Sequence, residues 1–372
     1  MTKMKKICRL LFLTAYAIYL PFTVHAQRST VGAKSLDKQI ETLILRDFAD
    51  ASGPGGVFMV AHQGRAIYKK AFGKANMELG IALTSENVFQ LGSMTKQFTA
   101  VAILMLEQEG KLDVNDPVSK YIPDYPKGQK ITIHQLLTHT SGIKDFTKMK
   151  SLADIAQKEM TPKMMVDFFK NEPVDFLPGE KFDYNNSGYV LLGYLIELIS
   201  GERYEDFIVK HIFDKIGMGQ SYYASDRKVI SKRAYGYHKK SSGYVNKTAI
   251  SFSVPFSSGS LMSTTDDLLK WQNAINHNLL LNEKEKESAF SKHKLNNGQE
   301  FGYGYGWHVR AIDDVKTLEH GGSIFGFKTM VIYIPEEDIY VVGLSNCDCN
   351  SPTKVVGDIA ALMLKIRIEP AN

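Results

Sequence analysis

Apolar residues near the start of the chain recur at steps of three and four: Leu36, Ile40, Leu43, Ile44 and Phe48. That spacing predicts an amphipathic helix over 36–48. Two short apolar runs follow at 57–61 and 66–72, and Gln63-Gly64 between them predicts a hairpin. Helical spacing returns from Ser93 to Glu109, with Phe98, Val101, Ala102, Met105 and Leu106 on one side and Gly110 as the stop. The middle of the chain, about 110–290, predicts helices at 133–137, 164–169, 188–199 and 204–212, with Gly201 as a C-cap. Thr264-x-x-Asp267 ahead of Leu268, Leu269 and Trp271 predicts a capping box. The charged run 282–287 reads as a solvated face. Strand patterns reappear at 305–310, 317–319, 327–334 and 339–345, with turns at Asp313-Asp314 and Glu336-Glu337. Pro352 opens a last helix through Lys365.

This order predicts an α+β fold. An antiparallel sheet is drawn from both chain ends and flanked by helices, with a mainly helical lobe inserted between its halves. The sheet lobe is expected over about 34–92 and 300–372, and the helical lobe over about 93–299. The crevice between the lobes is the natural place for a site.

Composition changes this picture little. With 372 residues, 44% hydrophobic and 23% charged, the chain is ordinary globular protein and neither disordered nor a multi-span membrane protein. Residues 1–26 form a separate unit. Lys3, Lys5, Lys6 and Arg9 precede an apolar run from Leu10 to Leu20, and Val24-His25-Ala26 offers small residues for cleavage. This pattern reads as a secretory signal and is too short to span a bilayer, so residues 27–372 are expected to be exported to the periplasm or beyond. Four of the 45 basic residues and none of the 40 acidic ones fall in the signal, which leaves the remainder near +1. That balance gives no electrostatic case for nucleic acid. Cys8 lies within the signal. Cys347 and Cys349 are too close in sequence for an ordinary disulfide, so two unpaired thiols are expected. No His-Glu-x-x-His is present, the histidines are scattered, and neither metal nor cofactor is implied.

Chemistry concentrates at three places. Ser93-Met94-Thr95-Lys96 opens a helix, where free N–H groups favour an oxyanion and an i,i+3 lysine can take the serine proton. The lysine would act through a lowered pKa, or as an ammonium holding a tyrosine as phenolate. Tyr184-Asn185-Asn186 opens the helix predicted over 188–199. His320-Gly321-Gly322-Ser323 follows a strand, where glycines would let a substrate lie along the backbone near the Ser323 N–H.

Together these segments resemble the serine β-lactamase and penicillin-binding protein superfamily, nearest to class C β-lactamases and their esterase and D-stereospecific peptidase relatives. Phe89-x-x-Gly92-Ser93-x-Thr95-Lys96, the stretch Leu136-Leu137-Thr138-His139-Thr140-Ser141-Gly142, the Pro178-Gly179 turn, and Ser258-Gly259-Ser260 leading to Trp271 are similar to landmarks of that family. The resemblance runs from about Ile40 to Leu364 and implies the β-lactamase/transpeptidase-like fold. It also implies Ser93 as acylated nucleophile, Lys96 and Tyr184 sharing the proton work, and Asn186 binding the substrate amide or steadying Lys96. The N–H groups of Ser93 and Ser323 would form the oxyanion hole, with Gly322 beside them. His320 stands where lactamases carry the lysine of Lys-Thr-Gly, and Gly321 replaces the hydroxyl. A free imidazole titrates near 6.5, so a carboxylate contact through His320 would strengthen below that pH. His139 and Ser141 belong to a stretch that the family uses structurally. The implied protein is an exported serine hydrolase acting on an ester, a D-amino-acid amide or a β-lactam bond in a small-molecule or peptide substrate. The alternatives are a non-catalytic penicillin-binding or sensor protein, and an acyltransferase using the same acyl-enzyme.

Overall fold

The computed structural model describes residues 29–225 and 227–368. The signal expected over 1–26, with Cys8, lies outside them. In chain order, helix α1 (Ala33–Ile44) precedes strands β1 (Gly56–His62) and β2 (Arg65–Phe72). Helices α2 (Thr95–Gln108), α3 (Asn186–Ser200) and α4 (Thr265–Asn276) follow. Strands β3 (His308–Ile312), β4 (Val315–Ile324), β5 (Phe327–Ile334) and β6 (Ile339–Ser345) come next, and α5 (Thr353–Lys365) comes after them.

The six strands form one sheet in the order β3-β4-β5-β6-β1-β2, antiparallel throughout. Four strands from the C-terminal part make a meander, and the N-terminal hairpin completes it by pairing β1 with β6. Gln63 and Gly64 join β1 to β2 with φ of 50° and 71°. Positive φ at both central residues matches the twist of a two-residue hairpin. Asp313 and Asp314 do the same between β3 and β4, with φ of 48° and 66°.

Alternation along the strands divides the core. Phe58 and Val60 of β1, Ile332 of β5 and Val341 of β6 pack with Leu36 and Ile40 of α1 and Ile359 and Met363 of α5. Val57, Met59 and Ala61, with Val331, Val342 and Leu344, belong to a larger core that contains α2. Every residue from Thr95 to Leu106 is buried, so α2 is enclosed on all sides. This is the α+β, antiparallel-sheet architecture expected from the pattern.

Four local expectations are corrected. The middle is not all helix: it holds the hairpin Tyr237–Lys240/Gly243–Asn246 and the strands Leu261–Ser263 and Tyr222–Tyr223, which form a small sheet with Phe89–Gln90 from ahead of it. Strands of two to four residues are too short to display a period. The Thr264 box forms only by half. Its side chain accepts from Asp267 N, but the Asp267 carboxylate turns to Gln220 N (2.7 Å) and Ser221 Oγ (3.0 Å). The 282–287 run buries Glu285. Cys347 and Cys349 are bonded to each other, because the chain turns directly after β6 and holds their Cα atoms 5.1 Å apart.

Candidate active site

The site begins with two backbone segments that approach unusually closely. Gly92, at φ +56°, opens a 3₁₀ turn (Gly92–Met94) that runs directly into α2. A Cβ on Gly92 would lie 3.0 Å from Ser323 N, and one on Gly322 would lie 2.0 Å from Leu91 O and 2.3 Å from Thr329 Oγ1. Glycine at both positions lets the turn lie against β4. Thr329 Oγ1 donates to Leu91 O at 2.9 Å and fastens the same approach from β5. Ser93 and Ser323 consequently line one cleft of about 490 Å³, together with Tyr184 and Asn186. Phe146, Leu152, Ile250 and Val254 supply apolar wall.

Lys96 lies one turn along from Ser93 and is completely buried. Its Nζ meets Asn186 Oδ1 at 2.9 Å, Ser258 O at 2.9 Å and Ser93 Oγ at 3.2 Å. The first two are pure acceptors, and the third can also donate. A neutral amine therefore gives its N–H bonds to Asn186 and Ser258 and keeps a lone pair for the serine proton. Burial pulls the Lys96 pKa down to about 7, opposed by the Asp145 carboxylate.

Asp145 sets the orientation of this group. Its Oδ1 accepts from Thr147 N (2.9 Å) and Oγ1 (2.8 Å). Its Oδ2 accepts from Asn186 Nδ2 at 3.2 Å, which turns Asn186 Oδ1 toward Lys96. Asn186 thus contacts Lys96 while it also lines the cleft. Nothing in the residue pattern marked Asp145 beyond a turn signal, Asp145-x-Thr147. Its reach to Asn186 spans 41 positions.

Tyr184 is half-buried in the cleft beside Ser93, with its hydroxyl turned inward and shielded from solvent. Burial pushes its phenol above the ordinary range, outweighing the Ser93 contact, so it keeps its proton. That direction favours a neutral phenol over a resting phenolate. The ring packs on His139, 4.3 Å between centroids, and Lys96 Nζ lies 4.9 Å from its centre. His139 accepts at Nδ1 from Asn185 N (3.0 Å), and burial holds its pKa well below the usual value. It shapes the pocket for Tyr184 and forms no pair with Ser141.

His320 corrects the expected pH response. It is buried, donates from Nδ1 to Gly321 O (2.6 Å) and accepts at Nε2 from Tyr303 Oη (3.1 Å). Burial, then the neighbouring His308, keeps it neutral well below 6.5. It lies behind the cleft, so it supplies no titrating cation there.

The Beta-lactamase family model matches residues 40–362. The chain belongs to the beta-lactamase family. Penicillin-binding protein 4* of Bacillus subtilis is 32% identical over 306 residues, 78% of this chain and 68% of that protein. Protein flp of Staphylococcus aureus is 28% identical over 335 residues, 86% of this chain and 65% of its own length. Among solved structures, the octameric penicillin-binding protein homologue from Pyrococcus abyssi gives a TM-score of 0.78 at 30% identity, covering 89% of this chain and 78% of that one. The D-amino acid amidase from Ochrobactrum anthropi gives 0.76 at 25% identity, covering 89% and 97%.

In this beta-lactamase-family chain, Ser93, Tyr184, Asn186 and Ser323 line one cleft, and Lys96 stands directly behind Ser93. Gly322 acts through its lack of a side chain. Among the described residues no group of acidic, histidine or cysteine side chains could hold a metal ion, and no helix is long and apolar enough to cross a membrane.

Proposed function

We propose that this chain is an exported serine hydrolase that forms an acyl-enzyme at Ser93. One observation carries the reading: a buried Lys96, with its pKa near neutrality, gives its N–H bonds to two fixed acceptors and turns its remaining valence to Ser93 Oγ. Ser93 Oγ attacks the substrate carbonyl carbon, and its proton passes to neutral Lys96. Negative charge gathers on the carbonyl oxygen, which the N–H groups of Ser93 and Ser323 stabilise. Tyr184, still protonated, gives its proton to the leaving alcohol or amine as the carbon–heteroatom bond breaks, and recovers one from Lys96. Water then enters and loses a proton to the same pair, and the acid is released as the Ser93 Oγ–carbonyl bond breaks and Oγ takes that proton back. An amine or alcohol acceptor would share every step up to the acyl-enzyme. The basic and apolar pattern of residues 1–26 supports export.

Neutral His320 and side-chain-less Gly321 offer no grip on a β-lactam carboxylate, which favours esters and amides. The test is a panel of an activated ester, a D-amino-acid amide and a chromogenic cephalosporin, each with wild type and Ser93→Ala. Ester or amide turnover that depends on Ser93, above that of the cephalosporin in kcat/KM, is expected. Turnover that survives Ser93→Ala would overturn the reading.

A further inference from the structure

His238 and Asp348 line the same cleft as Ser93, from segments that carry none of the site's motifs. Asp348 stands between the bonded Cys347 and Cys349, just beyond β6. Its N–H donates to Tyr237 O, and the Tyr237 N–H donates to Asn346 O, which lays this turn along the strand Tyr237–Lys240. The side chain is fixed as well. His238 Nε2 accepts from Thr248 N at 2.9 Å, so the imidazole proton lies on Nδ1 and is donated to Asp348 Oδ2. Main chain, disulfide and imidazole therefore hold the carboxylate in place before any ligand arrives, and such preorganisation favours recognition.

The charge of the cleft gives this carboxylate a direction. Among the described residues that line it, Asp348 is the only carboxylate, and none is lysine or arginine. Lys96 lies behind Ser93 with its N–H bonds on Asn186 and Ser258. Lys328 sits opposite Ser323 in register but is not part of the lining. A substrate carboxylate would meet a fixed like charge. An ammonium would gain a charge-assisted hydrogen bond. Phe146, Leu152 and Phe325 offer an apolar wall for the rest of the acyl group.

We infer that this cleft takes acyl substrates bearing an ammonium, such as amides or esters of amino acids with a free amine, and that Asp348 recognises that ammonium with His238 as its positioning residue. The inference rests on the acyl-enzyme reading above. Three anilides of one shape and one leaving group test it, each D and L form where a stereocentre exists: phenylalanine p-nitroanilide, 3-phenylpropionyl p-nitroanilide without the amine, and benzylmalonyl p-nitroanilide with a carboxylate in its place. Wild type should favour the ammonium over the uncharged anilide by ~10- to 100-fold in kcat/KM, the scale of one charge-assisted hydrogen bond, and the carboxylate should be poorest. In Asp348→Asn the ammonium-to-uncharged ratio should fall toward one. The wild-type series is decisive even if the variant folds badly. Equal rates across the wild-type series, preference for the carboxylate, or a ratio unmoved by Asp348→Asn would overturn the inference while Ser93-dependent turnover kept the acyl-enzyme reading intact. Turnover independent of Ser93 would remove that reading and this inference with it.

Discussion

In the proposed mechanism Lys96 takes the Ser93 proton, and its environment makes a signed prediction. The amine must be neutral to take the Ser93 proton, and its pKa is about 7. The kcat/KM for an uncharged ester should therefore rise with pH through a midpoint near 7, and it should hold until the raised Tyr184 phenol titrates. Asp145 opposes the burial that lowers this pKa. Asp145→Asn should shift the acid limb to lower pH, a movement that loss of packing alone would not produce. Tyr184→Phe should lower kcat by about 10²–10⁴-fold with the fold retained, the usual contribution of a positioned proton donor. An unchanged rate in that variant would make the phenol packing only. Sequence showed Ser93 and Lys96 because both sit on one helix turn, where spacing fixes proximity. It could not show Asp145, His238 or Asp348, whose neighbours come from distant positions and are set by the tertiary fold.

The turn that carries Ser93 depends on how closely it can rest on β4. Gly322→Ala would place a Cβ 2.0 Å from Leu91 O, a backbone atom with little room to retreat. Loss of activity and a lowered Tm are expected together. Gly357→Ala in α5 is the matched control. Nothing lies within 4 Å of its added Cβ, and alanine favours helix over glycine by about 1 kcal/mol, so Tm should hold or rise. Thermal melts with ester assays separate the two. The ends of β5 and β6 were legible from the sequence because long apolar runs bounded by turns leave little choice of limits. The strands Phe89–Gln90, Leu261–Ser263 and Tyr237–Lys240 were not, since their pairing partners, not their own pattern, make them strands. The Cys347–Cys349 bond escaped sequence reasoning for a similar reason: a turn after β6 brings together residues that an extended chain would separate.

Across the molecule, burial of neutral histidines couples the site to acid stability. Burial pushes His134 and His308 down to about 4 and holds His139 and His320 lower than their usual value. Unfolded histidines take protons near 6.5, so below that pH the unfolded state binds more protons than the native one. Stability should be unaffected by these groups above about 6.5 and fall steadily as pH drops toward 4. Melts across that interval check it, and a flat Tm would contradict the buried, neutral assignment. The sheet drawn from both chain ends was readable because the short connections allow few other topologies. The depth of the histidines was not, since period two places a residue on a face without saying what covers it. The most direct measurement concerns Ser93. Intact protein treated with a serine-directed phosphonate should gain one adduct, mapped by peptide mass spectrometry to the segment holding Ser93 and absent in Ser93→Ala. An adduct on another serine, or none on an active protein, would contradict the acyl-enzyme mechanism.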